Sequence, residues 1–371
     1  MRFLVFKSDI ELLRGNLGGK DFFVRDATSV EKQKNHFFET LSNIGSIIFI
    51  EDTPISEIRE LLQKPDVILA TIHGDSFLEK NHDINEAISA TPRRVLQHAL
   101  GACMLPEGLF RCMGKTANTS FLVCTDFEKR RIERMLCGAA PFLGVFTPRI
   151  DTHIFYPPSN KERLKAREKY SVGENDIHLV YAGRWLATKG ICQVIRALSI
   201  WPSNNVRFTI AGNFCPDFPI ESVWARHDCF EQFFMSEIAE TAPAGLVNLL
   251  GPLQPGGLRE LYWSADAFVY PSVHEDENFG MAPREAALCG LPCIVTDFGG
   301  LHEVSRIMPY QTIETYPTTH GSRYSLQSLR EAIKYTVEIK GQFPCFSIRD
   351  KVMAECDIHI SRENLINICN Q

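Results

Sequence analysis

Several things are missing from this 371-residue chain, and each absence removes a class of function. A basic excess is missing: 39 Lys and Arg against 45 Asp and Glu leave a net charge of -6. A general nucleic-acid binder carries a marked positive surplus, so no nucleic-acid partner is expected. No apolar run approaches the ~20 residues that a membrane-spanning helix needs. The opening MRFLVFKSD is too short and too soon charged for a secretory leader, so a cytoplasmic protein is expected. The 12 cysteines are scattered with no C-x-x-C pair, which predicts reduced thiols and no disulfide framework. Cys289 and Cys293 straddle a helix end and a strand and read as core residues. Also absent are a G-x-G-x-x-G fingerprint, a Walker lysine, and any D-x-D pair for a divalent ion. No cofactor and no metal are expected. His274 with Glu275 and Asp276 is the one loop offering metal donors, and Glu275 and Asp276 read better as solvent-facing.

What is present is an ordinary globular composition, 44% hydrophobic and 23% charged, in a chain too long for one core. Short β-branched or aromatic runs alternate with amphipathic helical stretches. The strand-like runs of the first half are 2–8, 46–51, 66–72, 93–99, 120–126 and 142–148. After the Pro-rich FYPPSNKER (155–163) the pattern restarts, with runs at 177–183, 206–212, 247–253, 267–272 and 293–298. Such alternation predicts an α/β fold of two open, doubly wound parallel sheets flanked by helices. Ligands of these sheets bind beyond the carboxyl ends of the strands, and two such domains facing each other make a cleft. The expected domains are 1–157 and 158–345, with a helical tail, 346–371, packing back on the first half.

The chemistry-bearing residues cluster at strand ends. After run 177–183 come Gly183-Arg184 and then Lys189-Gly190, two cations and space-giving glycines at a strand–helix turn. That composition suits a diphosphate, with two solvated surface cations as the bland alternative. After run 2–8 comes Gly15-Asn16-Leu17-Gly18-Gly19, whose bare amides can approach an anion, although an ordinary turn explains it equally well. After run 267–272 comes HEDENFGMAPREAALCG, where Glu277 lies in a loop and Glu285 lies within a helix stopped by Gly290 and Pro292. Eight residues apart, the two do not form a hydrolase's close pair but can accept from two sets of hydroxyls. His73 and His98 also end first-half strands, where a satisfied half-buried ring is the ordinary outcome.

Together these segments resemble the E-x7-E signature of retaining nucleotide-sugar glycosyltransferases with the GT-B fold (family four). The resemblance rests on Glu277-Asn278-Phe279-Gly280, Glu285-Ala286 and Cys289-Gly290-Leu291-Pro292, with Gly183-Arg184 and Lys189-Gly190 as the cation pair. Gly18-Gly19, His98 in QHALG, the strand entry Ser264–Ser272 and the hinge-like Asp151–Phe155 match in the same order. The resemblance implies a GT-B architecture, two Rossmann-like domains facing a central cleft. It further implies that Arg184 and Lys189 neutralise the donor diphosphate, and that Glu285 accepts from the ribose. Glu277 would accept from the transferred sugar, beside the amides of Phe279, Gly280 and Met281. Gly19 would meet the distal phosphate and His98 the sugar near its 6-position, with Asn213 and Pro252-Leu253 near the base. Asn278, where Gly or Pro is frequent, and the acidic residues before Glu277 bear on the shape of the sugar pocket. The expected partners are a nucleotide-sugar donor and an acceptor glycan or lipid-linked sugar. The basic stretch FEKRRIERM (127–135) offers peripheral membrane contact, against the plainer reading of a solvated helix. A sugar-nucleotide epimerase and a non-catalytic nucleotide-sugar-binding module remain as alternatives.

Overall fold

The computed structural model describes residues 1–6, 29–71, 95–98, 119–135, 142–202, 205–214, 227–274, 277–308, 312–319, 321–339 and 345–370. The chain divides into two units, one of Met1–Arg149 with Cys356–Gln371, the other of Ile150–Glu355.

In the first unit β1 (Arg2–Val5), β2 (Ser46–Phe49), β3 (Val67–Thr71), β4 (Val95–His98), β5 (Thr119–Val123) and β6 (Phe142–Val145) form one sheet. Its order is β2-β1-β3-β4-β5-β6, and every pairing is parallel. Successive side chains of a strand point to opposite faces, and both faces of β1 are covered. Phe3 and Val5 join a cluster with Phe37, Phe38 and Leu41 of α1 (Ser29–Ile44) and with Leu365 and Ile368. Leu4 and Phe6 join another with Ile58 and Leu61 of α2 (Ile55–Leu61), and with Val67 and Leu69. The basic stretch forms α3 (Asp126–Met135), with Arg130 and Arg134 exposed and Ile132 buried.

The second unit opens on α4 (Asn160–Lys169), started by a capping box between Ser159 and Glu162. Its sheet contains β7 (Ile177–Ala182), β8 (Val206–Ala211), β9 (Val247–Leu250), β10 (Ala267–Tyr270), β11 (Cys293–Thr296) and β12 (Thr312–Ile313). The order is β12-β11-β10-β7-β8-β9, again parallel. The helices of this unit after β7 are α5 (Ile191–Ser199), α6 (His227–Thr241), α7 (Pro255–Ser264), α8 (Met281–Leu288), α9 (Leu301–Ile307), α10 (Leu326–Glu338) and α11 (Cys345–Glu355). Buried Asp266 ties α4 to the sheet, accepting from Arg163 at 2.7 Å, from Arg167 at 3.4 Å and from the His178 amide at 2.9 Å.

The strands are shorter than the apolar runs that announce them. Run 267–272 yields a strand of 267–270 because Pro271 has no N–H to extend the ladder. An antiparallel hairpin, β13 (Thr315–Thr318) with β14 (Gly321–Tyr324), follows β12. The tail divides: α11 packs against α8 in the second unit, and the helix Ile358–Asn370 belongs to the first.

Candidate active site

β7 and β10 are neighbours at the centre of the second sheet. From β7 the chain moves out through β8 and β9, then returns to β10 and moves the other way. The strand order therefore reverses between β7 and β10, and the loops leaving their carboxyl ends part over a crevice. Tyr181 of β7 and Tyr270 of β10 stack there, ring centroids 5.4 Å apart.

The loop after β7 is shaped by close backbone approach. Gly183 has φ 147° and Gly212, after β8, has φ 132°. A Cβ on Gly212 would strike the Gly183 carbonyl. Tyr181 Oη donates to the Arg184 carbonyl at 2.7 Å and the Trp185 amide to the Asn213 carbonyl at 2.8 Å. Arg184 is half-buried. A short 3-10 turn, Ala187–Lys189, then leads through Gly190, with φ 77°, into α5. Lys189 is buried, 5.3 Å over the Tyr270 ring.

The loop after β10 is sewn to this one. The Val273 amide donates to the Thr188 carbonyl at 2.9 Å, and Thr188 Oγ1 lies 2.9 Å from His274 Nδ1. The Glu277 amide reaches the His274 carbonyl at 3.0 Å. Glu277 is buried, and its carboxylate accepts from Lys189 Nζ at 2.6 Å. Burial and the adjacent Glu277 carboxylate hold the Tyr270 hydroxyl well above its ordinary range. Burial, with Lys189 and Arg184 nearby, pushes His274 down to about 2, so its ring is neutral at physiological pH.

Beneath the turn lies a pair of residues the sequence reading did not single out, Gly299-Gly300. The Gly300 amide donates to the Glu277 carbonyl at 2.6 Å, and a Cβ on either glycine would strike the backbone of Glu277 or Asn278. The consecutive glycines after run 293–298 were the available signal. Phe279 is fully buried, and Gly280, with φ 74°, turns the chain into α8. Met281 and Glu285 are buried on that helix, and the Glu285 charge reaches Tyr262 and Cys289.

The structure thus gathers Gly183, Arg184, Lys189, Glu277, Phe279, Gly280, Met281 and Glu285 on the loops and helix after two neighbouring strands. Pro252 and Leu253 stand past β9, two strands from β7 in the sheet. His98 is the last residue of β4, and its side chain lies outside the described residues, as do Gly18, Gly19, His73, Glu275 and Asp276. Among the described residues no group of three His, Cys, Asp or Glu could hold a metal, and no helix is long and apolar enough to cross a membrane.

Comparison with known proteins bears on the fold. Residues 162–306 match the family model of glycosyl transferases group 1. An uncharacterized glycosyltransferase of Methanocaldococcus jannaschii is 30% identical over 156 residues, 40% of this chain and 36% of that protein. A D-inositol 3-phosphate glycosyltransferase of Pseudarthrobacter chlorophenolicus is 27% identical over 164 residues, 43% of this chain and 35% of that protein. The chain spans about a third of the length of these curated relatives. Among solved structures, Anabaena HepE in complex with UDP superposes with a TM-score of 0.67 at 14% identity, over 99% of each chain. The fold is that of the GT-B glycosyltransferases, and residues 162–306 are similar to the group 1 glycosyl transferases.

Proposed function

We propose that the protein is a retaining glycosyltransferase, moving a sugar from a nucleotide diphosphate donor to an acceptor hydroxyl on a glycan, a lipid-linked sugar or a small molecule. The observation that carries this reading is the Lys189–Glu277 pair, buried at the strand-order reversal with Arg184 beside it. A buried cation and a buried carboxylate, side by side, match the two faces of a nucleotide sugar: anionic diphosphate and hydroxyl-bearing ring.

In this reading Arg184 and Lys189 take the diphosphate, Glu285 the ribose hydroxyls and Glu277 the sugar hydroxyls. The amides at Phe279, Gly280 and Met281, at the start of α8, face developing negative charge. Pro252 and Leu253 border the base. Catalysis is electrostatic: the two cations stabilise charge growing on the departing diphosphate. Glu277, already neutralised by Lys189, is a poor covalent nucleophile. Departure and attack on the same face, with a donor phosphate oxygen taking the acceptor proton, therefore fit better than double displacement. Anabaena HepE has been solved with UDP and with UDP-glucose, which supports a uridine donor as the first to try.

A thermal-shift screen with UDP-, GDP- and ADP-sugars tests the reading, because a ligand of the folded state raises the melting temperature by mass action. One donor should raise it, and Arg184→Ala should abolish the rise. No shift with any donor, or full turnover in Arg184→Ala, would overturn it.

A further inference from the structure

Among the described residues Arg284 is one of the largest side chains with no solvent exposure. It lies on α8 directly before Glu285, and its guanidinium serves three segments at once. Nη1 donates to the Phe279 carbonyl, and the guanidinium carbon sits 3.9 Å from the centre of the Phe279 ring. Nε and Nη2 fork onto the two carboxylate oxygens of Glu355, the end of α11, at 2.9 and 2.5 Å. Glu303 of α9, downstream of the Gly299-Gly300 pair, adds its charge at 3.7 Å.

A fully buried guanidinium is costly unless its N–H groups are satisfied and its charge is matched. Here both conditions are met by partners far apart in sequence, and the carbonyl served belongs to the turn that carries Glu277. We propose that Arg284 is a positioning residue, which with Glu355 clamps the Phe279–Gly280 turn and so sets where the Glu277 carboxylate stands. The inference rests on reading Glu277 as the contact to the donor sugar. Lysine cannot replace arginine in this role. Only the planar fork directs separate N–H bonds to a carboxylate and a carbonyl. The diphosphate contacts, Arg184 and Lys189, come from the other loop and meet the clamp only through the Lys189–Glu277 pair.

The test compares two affinities in each protein, by calorimetry: one for a free nucleoside diphosphate, one for the matching sugar nucleotide. The probes are UDP with UDP-glucose, GDP with GDP-mannose, and ADP with ADP-glucose, and the pair that binds wild type is used throughout. Arg284→Lys and Arg284→Met should weaken sugar-nucleotide binding by about tenfold while leaving the free diphosphate within about twofold. Glu355→Gln, which keeps one acceptor oxygen, should fall between these variants and wild type. A purely structural role would lower both affinities together, and an unchanged ratio in folded variants overturns the proposal. If Arg284→Met fails to fold, Arg284→Lys and Glu355→Gln decide by the same ratio. If wild type binds none of the probes, the glycosyltransferase reading itself fails, an outcome distinct from an unchanged ratio.

Discussion

Lys189 and Glu277 illustrate how a buried ion pair behaves at the scale of single residues. Their side chains are 4% and 7% exposed, so each charge is tolerated because the other is 2.6 Å away. Removing one partner strands the other in a medium that solvates it poorly. Lys189→Met and Glu277→Gln should each lower stability by about 3 kcal/mol, whereas the double variant should lose less than the sum. Thermal denaturation of the four proteins of this cycle measures the coupling, and strict additivity would show that the pair does not interact. All three variants should also lose donor binding. His274 adds no titration to this site near neutral pH, since burial holds its ring down to about 2.

At the scale of elements, the turn before α8 depends on what lies beneath it. Gly300 has ordinary helical angles, φ -66°, so its need for glycine is steric: a Cβ would run into the backbone of Asn278 and Phe279. Gly256, in the first turn of α7, has nothing within 4 Å of where a Cβ would sit. Gly300→Ala should therefore displace the turn and abolish sugar-nucleotide binding. Gly256→Ala should keep binding and raise stability by up to about 1 kcal/mol through helix propensity. Calorimetric titration and melting curves on both variants check the contrast. The two glycines also mark what sequence can reveal. The strands of both sheets, apart from the two-residue β12, were legible because apolar runs with turn residues between them have few other uses. Their ends were not, since Tyr270, Pro271 and Ser272 are all buried and only the lost N–H of Pro271 stops the ladder. The hairpin β13–β14 escaped because TYPTTHGSRY has no apolar face to announce it. Lys189 and Glu277 were legible as charges in the loops beyond strand ends, and Glu285 as a carboxylate on the helix that follows. Gly300 and Arg284 were not, because their partners are contributed by distant segments and an arginine in PREAAL reads as a solvent-facing helical charge.

At the scale of the whole molecule, each unit buries a histidine in neutral form. His36 of α1 stacks on Phe146 with ring centroids 5.0 Å apart. Neither of its ring nitrogens has a hydrogen-bond partner among the described residues. Burial, helped by Arg149, lowers it from 6.5 to about 4. His178 in β7 is lowered to about 4, chiefly by burial, and lies 2.8 Å from Thr209 Oγ1. An unfolded chain takes up these protons near 6.5 and the folded one only near 4, so acid favours unfolding. The stability they contribute is complete above 6.5 and is lost progressively as pH falls toward 4. Melting temperatures followed from neutral pH to about 4.5 should begin to drop near the unfolded value, and His36→Leu should flatten the slope. A melting temperature indifferent to pH over that range would contradict the buried neutral rings.

The same division into units has a consequence for biosynthesis. Residues 150–355 form one continuous stretch, so the second unit has all its own chain once Glu355 has left the ribosome. The first unit begins earlier but finishes later. The cluster that covers one face of its β1 takes in Leu365, Ile368 and Cys369, and Ile368 sits against Gly144. Until those residues emerge, Phe3, Val5 and Phe37 have an incomplete apolar lid, and the half translated first is the half completed last.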